Sequence, residues 1–146
     1  MSKYSTIVVG TDGSQSSLLA VERAAEIAAA LNATVVIGCA YYENQEQASK
    51  TLRQDSVTVL GNDPARKNLE TAVETARRVG ATKVETTVRQ GTPVDALMAI
   101  VKEVDADLLV VGNRGINSLT GRLLGSVPAD VARQSNCDVM IVHTVD

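Results

Sequence analysis

Hydrophobic residues occur along this chain in two alternating patterns, short uninterrupted runs and longer stretches with helical spacing. The Leu-Leu-Val-Val run at residues 108–111 is typical of a parallel strand that is covered on both faces. Near the start of the chain, by contrast, apolar residues recur at the three- and four-residue intervals of an amphipathic helix: Leu18, Val21, Ala25, Ala28 and Leu31.

The two patterns alternate along the whole chain. Strands are predicted at residues 6–10, 33–40, 83–89, 107–111 and 138–144. Helices are predicted at residues 14–31, 64–80 and 127–135, with another that has Thr92 as its cap and Pro93 in its first position. Strands separated by helices predict an α/β fold with a doubly wound, five-stranded parallel sheet. The length of 146 residues, without an internal repeat, predicts a single domain over residues 1–146.

Residues 42–62 interrupt this alternation with a polar segment that is rich in Gln, Asn and Ser. The segment follows the second strand, so it leaves the sheet at the edge where ligands bind in such folds. Two interpretations stay open: a lid that brings Lys50 or Arg53 to a phosphate, or a surface loop without a ligand.

Glycines and a helix start follow the fourth strand. Gly112, Gly115 and Gly125 remove side chains where a backbone must approach a ligand closely, and Ser126 precedes a predicted helix. Free N–H groups at a helix start attract anions. We therefore favour a phosphate cradle over turn chemistry alone, and Arg114 is a candidate for an additional charge-assisted contact.

The loop after the first strand, residues 10–14, reads Gly-Thr-Asp-Gly-Ser. If the first and fourth strands are neighbours, Asp12 faces the glycine loop across one crevice. Asp12 is suited to accept hydrogen bonds from a ribose or to help hold a divalent cation. The alternative is a purely local turn or capping role.

Composition excludes several classes of function. The net charge of −3 gives no basic stripe for nucleic acid, and the absence of a long apolar run indicates no membrane span and favours a cytoplasmic protein. Cys39 and Cys137 lack metal-ligand spacing and are predicted to be buried free thiols. His143 is predicted to be structural. The sequence has neither a Walker lysine nor an evident general base, which argues against rapid nucleotide hydrolysis.

These motifs together resemble the nucleotide-binding branch of the universal stress protein family. The glycine residues match the signature G-x2-G-x9-G-S/T. The resemblance extends to the segments Ile-Val-Val-Gly-Thr-Asp-Gly-Ser, Gly-Thr-Pro-Val-Asp, Ala-Asp-Leu-Leu-Val-Val-Gly and Arg-Leu-Leu-Gly-Ser-Val, which occur in the family's order over nearly the whole chain. It implies a Rossmann-like fold of the adenine nucleotide alpha hydrolase type, with strand order 3-2-1-4-5.

The resemblance also implies a ligand and its contacts. The ligand is an adenine nucleotide, with ATP, AMP and cyclic AMP (cAMP) all left open, and Asp12 lies at the ribose or at a Mg²⁺ ion that the nucleotide carries. The nucleotide-binding residues that it implies are Gly10, Thr11, Asp12, Ala40, Gly112, Asn113, Arg114, Gly115, Gly125, Ser126 and Val127. No catalytic residue is predicted.

The last strand predicts a partner. Residues 138–144 are strongly apolar and would otherwise form an exposed sheet edge, which soluble proteins avoid, so we expect a homodimer through this strand. Three functions stay open: a regulatory sensor or buffer of adenine nucleotide in the stress response, a slow metal-dependent ATPase, and a ligand-free dimeric adaptor.

Overall fold

A computed structural model describes residues 4–49, 59–113 and 126–144 of the chain. Strands and helices alternate as predicted, with one additional short helix, α2, after the second strand. In chain order the elements are β1 (Thr6–Gly10), α1 (Gln15–Leu31), β2 (Thr34–Tyr41), α2 (Gln45–Ser49), α3 (Asn62–Arg78), β3 (Lys83–Gln90), α4 (Pro93–Val104), β4 (Leu108–Gly112), α5 (Ser126–Gln134) and β5 (Asp138–Val142).

The five strands form one parallel sheet in the order β3-β2-β1-β4-β5, which confirms the predicted fold. Helices α1 and α3 pack on one face, and α4 and α5 pack on the other. The central strands β1 and β4 are therefore covered on both sides, and Ile7, Val8 and Val9 are fully buried. Strand β3 lies at an edge, which explains why its sequence alternates between apolar and polar residues.

Several helix starts follow local chemistry that the sequence makes visible. Ser14 caps α1 by accepting a hydrogen bond from the backbone N–H of Ser17, and Thr92 caps α4 by accepting one from the backbone N–H of Asp95. Pro93 occupies the first turn of α4, as expected. Helix α3 starts at Asn62 rather than at the predicted residue 64, since a proline is tolerated within a first helical turn.

Three expectations about individual residues need correction. Leu31 is 39% exposed at the end of α1, so it does not belong to the buried stripe of that helix. Cys39 is a buried free thiol as predicted, whereas Cys137 is only half-buried. Strand β5 ends at Val142, two residues before the predicted end, because its partner β4 ends at Gly112 and the Thr144 N–H donates to the Asn113 side chain instead of to a strand.

The segment at residues 42–62 is only partly described. It contains α2 and an isolated parallel bridge that joins Tyr42 to Leu60. Lys50 and Arg53, the residues of the lid hypothesis, lie outside the described residues. Among the helices within the described ranges, none combines the length and the apolar character that crossing a membrane would require.

Candidate functional site

A crevice opens at the carboxyl edge of the sheet, where β1 and β4 lie side by side and the chain leaves them on opposite faces. Ligands bind at such a switch point in open α/β sheets. The crevice has a cavity volume of about 110 Å³, and its mouth is open to solvent. Its lining comprises Gly10, Thr11, Asp12, Ser14, Ser16, Ser17, Gly38, Ala40, Tyr42, Val59, Pro93, Ala96, Leu97, Ile100, Val111, Gly112, Val127 and Pro128.

The floor of the crevice is formed by two glycines that are paired in register, Gly10 on β1 and Gly38 on β2. Their missing side chains let α4 settle closely on the sheet. A Cβ atom at Gly10 would lie 3.1 Å from a methyl of Leu97, and one at Gly38 would lie 2.5 Å from Cδ1 of Ile100. The sheet and α4 thus join in a smooth apolar surface, which suits contact with a flat ring.

The loop after β1 forms a polar rim above this floor. The Asp12 carboxylate accepts a hydrogen bond from the backbone N–H of Ser14 at 2.9 Å, and the buried Thr11 hydroxyl lies 3.0 Å from that of Ser17. Asp12 thus has the local turn role, and it also lines the crevice. Gly13 has φ of +86° and lies against the Asn68 side chain, so this turn requires glycine.

The exit of β4 forms the opposite rim. Gly112 lines the crevice, and α5 contributes Val127 beside it. Gly112 has close neighbours behind it, since a Cβ there would lie 3.1 Å from Oγ1 of Thr144 and 3.3 Å from Oγ of Ser16. Next to Gly112, the Asn113 side chain is buried and bonds to the segment that leaves β5.

The fold brings together loops that are about a hundred residues apart in sequence. The predicted site residues that line the crevice are Gly10, Thr11, Asp12, Ala40, Gly112 and Val127. Asn113 lies directly behind this lining, and Ser126 is the first residue of α5. Arg114, Gly115 and Gly125 lie outside the described residues, so their contacts with nucleotide stay predictions.

Sequence reasoning missed the wall that α4 supplies. Pro93, Ala96, Leu97 and Ile100 lie on one helical face over the glycine floor. Their spacing was a visible signal, because residues three and four apart share a helix face. It was overlooked because the same spacing also describes an ordinary core helix.

Metal and thiol chemistry can be judged from the donors present. Within residues 4–49, 59–113 and 126–144, no group of three or more His, Cys, Asp or Glu side chains is placed to hold a metal ion. Asp12 can supply one carboxylate to a Mg²⁺ ion whose other ligands are phosphate oxygens and water, a usual arrangement for this ion.

Burial raises the pKa of the Cys39 thiol to about 11, so this thiol stays protonated at neutral pH.

The fold and the crevice define an open α/β protein with a crevice at its topological switch point, where such proteins bind ligands. Comparison with known families is consistent with this class. The model described as "Universal stress protein family" matches residues 3–143, and the chain belongs to that family.

Similar proteins cover the chain from end to end. Universal stress protein Rv1636 of Mycobacterium tuberculosis (strain ATCC 25618 / H37Rv) is 50% identical over 146 residues, which is 99% of each chain. A crystal structure of a universal stress protein in complex with cAMP is 50% identical, covers 99% of this chain and 100% of its own, and has a TM-score of 0.79. A universal stress protein from Archaeoglobus fulgidus is 27% identical, with coverage of 95% and 98% and a TM-score of 0.74.

Proposed function

We propose that the crevice binds an adenine nucleotide and that the protein acts as a regulatory sensor or buffer of ATP, AMP or cAMP in the stress response. The observation that carries this proposal is the pairing of an apolar, glycine-floored slot with a polar rim at the β1–β4 switch point. The relative solved in complex with cAMP, which is 50% identical, supports cAMP as one of the ligands.

The slot suits the adenine base. Leu97 and Ile100 pack directly on the floor glycines, and helix and sheet together form an apolar surface against which one face of a planar ring can lie. Ala40 lies in the crevice lining near the end of β2, where its backbone groups can bond the edge of the base. Such contacts identify adenine and are indifferent to the number of phosphates.

The rim suits the ribose and phosphates. Asp12 and Gly112 both line the crevice, which supports hydrogen bonds from ribose hydroxyls to the Asp12 carboxylate and a close approach of the phosphates to the Gly112 backbone. The backbone at Ser126 and Val127 begins α5, where free N–H groups favour an anion. Arg114, Gly115 and Gly125 belong to this group by resemblance to the family.

The test is calorimetric titration of nucleotide-stripped protein with cAMP, AMP and ATP, each with and without Mg²⁺. We expect saturable binding, and Asp12→Asn should weaken it about tenfold or more, since a hydrogen bond to a charged group contributes roughly 1.5–3 kcal/mol. This variant keeps an acceptor for the Ser14 N–H, so the turn is retained. Glu74→Ala, which removes an exposed carboxylate from α3, should bind like wild type. Failure of the wild-type protein to bind any of these nucleotides would refute the proposal.

Measuring phosphate release from Mg²⁺-ATP tests for hydrolysis at the same site. A slow ATPase would release phosphate from Mg²⁺-ATP at a rate that Asp12→Asn lowers. A pure sensor or buffer would bind without phosphate release above the buffer background. The two free thiols suit the reducing cytoplasm, where either function would operate.

We also propose that the protein is a homodimer through β5. Within the described sheet this strand pairs only with β4, and its Ile141 side chain is 36% exposed. Antiparallel pairing of two copies about a two-fold axis would cover both edges. Light scattering should give the dimer mass for wild type and the monomer mass for Ile141→Lys. Leu31→Lys changes a similarly exposed side chain on α1 and should stay dimeric; a monomeric wild type would exclude the dimer.

A further inference from the structure

The Asn113 side chain joins the exit of β4 to the segment that follows β5. Its Oδ1 atom accepts a hydrogen bond from the backbone N–H of Thr144 at 2.8 Å and another from the Thr144 hydroxyl at 3.1 Å. Its Nδ2 atom lies 3.3 Å from Nδ1 of His143. The backbone N–H of Asn113 donates to the carbonyl of Val142 at 2.9 Å. Both ends of the Asn113 amide therefore face the β5 exit.

This contact continues to the start of α1. The Thr144 hydroxyl is hydrogen-bonded to the hydroxyl of Ser16, a buried residue that itself lines the crevice. Gly112 lies in front of this pair, within 3.1–3.3 Å of both hydroxyls when measured from the position of a Cβ atom. The wall of the crevice at Gly112 is thus backed by two residues from distant parts of the chain, Ser16 and Thr144.

Burial makes these hydrogen bonds costly to break. Asn113 is 8% exposed and Ser16 is 9% exposed, so a lost partner could not be replaced freely by bulk water. An amide that makes bonds at both ends in a confined site has one favourable orientation. The direction in which the chain leaves Gly112 is therefore tied to the position of Thr144.

We propose that Asn113 is a positioning residue of the proposed nucleotide site and acts through Thr144. It holds the Gly112 backbone where the ligand needs it, in place of the direct nucleotide contact that the family resemblance implies. The inference rests on the proposed function, because its consequence is a change in nucleotide affinity. It also assigns a role in binding to Thr144, which sequence reasoning did not include in the site.

Affinity measurements on matched variants test the proposal. Asn113→Ala removes the bonds made by the Asn113 side chain, and Thr144→Val removes those made by the Thr144 hydroxyl. We expect losses of affinity for cAMP of about tenfold and about threefold, typical of residues that act on a ligand without contacting it. Thr144→Ser restores the hydroxyl and should restore wild-type affinity. Thr75→Val removes another buried hydroxyl, far along α3, and should cost stability without loss of affinity.

The double variant separates positioning from direct contact. If Asn113 acts through Thr144, adding Thr144→Val to Asn113→Ala should weaken binding little further than Asn113→Ala alone. Hydrogen exchange at the Thr144 amide adds a readout that stability alone would not change. Addition of cAMP should slow this exchange in wild type and leave it unchanged in Asn113→Ala, with both proteins measured well below their unfolding temperatures.

Two results would overturn the inference while leaving nucleotide binding intact. One is a loss of affinity in Asn113→Ala that is fully additive with that in Thr144→Val, as expected for a direct contact. The other is wild-type affinity in Thr144→Val, a variant that answers the question even if Asn113→Ala does not fold. Failure of the proposed function is a different result, because the wild-type protein itself would then bind no nucleotide.

Discussion

The close approach of Gly38 to α4 makes a sharp prediction about the crevice floor. In Gly38→Ala the new Cβ would lie 2.5 Å from Cδ1 of Ile100, whereas the next atoms, on Thr87, are 3.8 Å away. Carbon atoms pack at about 3.5–4.0 Å, so Cδ1 would have to move by roughly 1 Å. The Ile100 side chain is 1% exposed, so a shift of this size would disturb its packing against neighbouring core residues.

The expected magnitude follows from these contacts. Overpacking a core costs about 1–3 kcal/mol, and the reduced entropy of the unfolded chain returns roughly 0.4–1 kcal/mol when alanine replaces glycine. Gly38→Ala should therefore lower the free energy of unfolding by about 1.3 kcal/mol, the difference between the midpoints of these ranges. Ile100→Val removes the one atom in conflict, and alone it should cost about 0.5–1.5 kcal/mol.

The double variant tests the cause. Once Cδ1 is absent, the Gly38→Ala methyl can occupy its space, so the two losses should not add, and the coupling should be about 1 kcal/mol or more in the stabilising direction. Urea unfolding that is followed by circular dichroism, with a common m-value, measures all four proteins. Additive losses would refute the reasoning, because the conflict would then not lie between these two groups.

Three further predictions concern other positions. The backbone N–H groups of Ser5 and Thr6 lower the pKa of the Asp107 carboxyl. The stabilisation of the folded protein by this carboxylate is therefore present above the unfolded pKa of about 4 and is lost as pH falls through the folded pKa. Acid unfolding curves should show this loss in wild type but not in Asp107→Asn. Gly112→Ala should weaken cAMP binding severalfold in calorimetry, since its Cβ would press on Thr144, and unchanged affinity would contradict a fixed wall. In a variant whose only thiol is Cys39, iodoacetamide at pH 8 should modify the native protein far more slowly than the unfolded protein, because burial raises the pKa of that thiol to about 11. Equal rates for the native and the unfolded protein would contradict this.

The fold was largely predictable because each element is encoded locally. Uninterrupted apolar runs indicate strands that are covered on both faces, and the Thr92-Pro93 start of α4 is a local capping signal. Errors occurred where the deciding contact is not local. Leu31 fits the apolar spacing of α1, yet as the last residue of the helix it is 39% exposed, and spacing alone cannot show how far along a helix the packing extends.

The candidate site was predictable only in part, for the same reason. The loops at Gly10 and Gly112 are visible as glycine-rich strand ends, but they share a crevice only because β4 inserts beside β1. From the residues alone this adjacency was a condition, and strand order 3-2-1-4-5 came from resemblance to a family. The α4 wall was missed because a helix that faces a ligand and a helix that faces the core have the same apolar spacing.

The Asn113–Thr144 contact shows why the least predictable part of a site can control its geometry. Thr144 has no signature, and nothing in the sequence near it relates it to Gly112, more than thirty residues earlier. Parallel pairing of β4 with β5 brings the two strand exits to the same edge, and only there can one amide bond both. Loop residues are free to change direction, so a site that is formed from loops depends on such cross-links to hold its shape. In the proposed site the glycines permit the approach of a ligand, and we infer that the buried amide determines where that approach occurs.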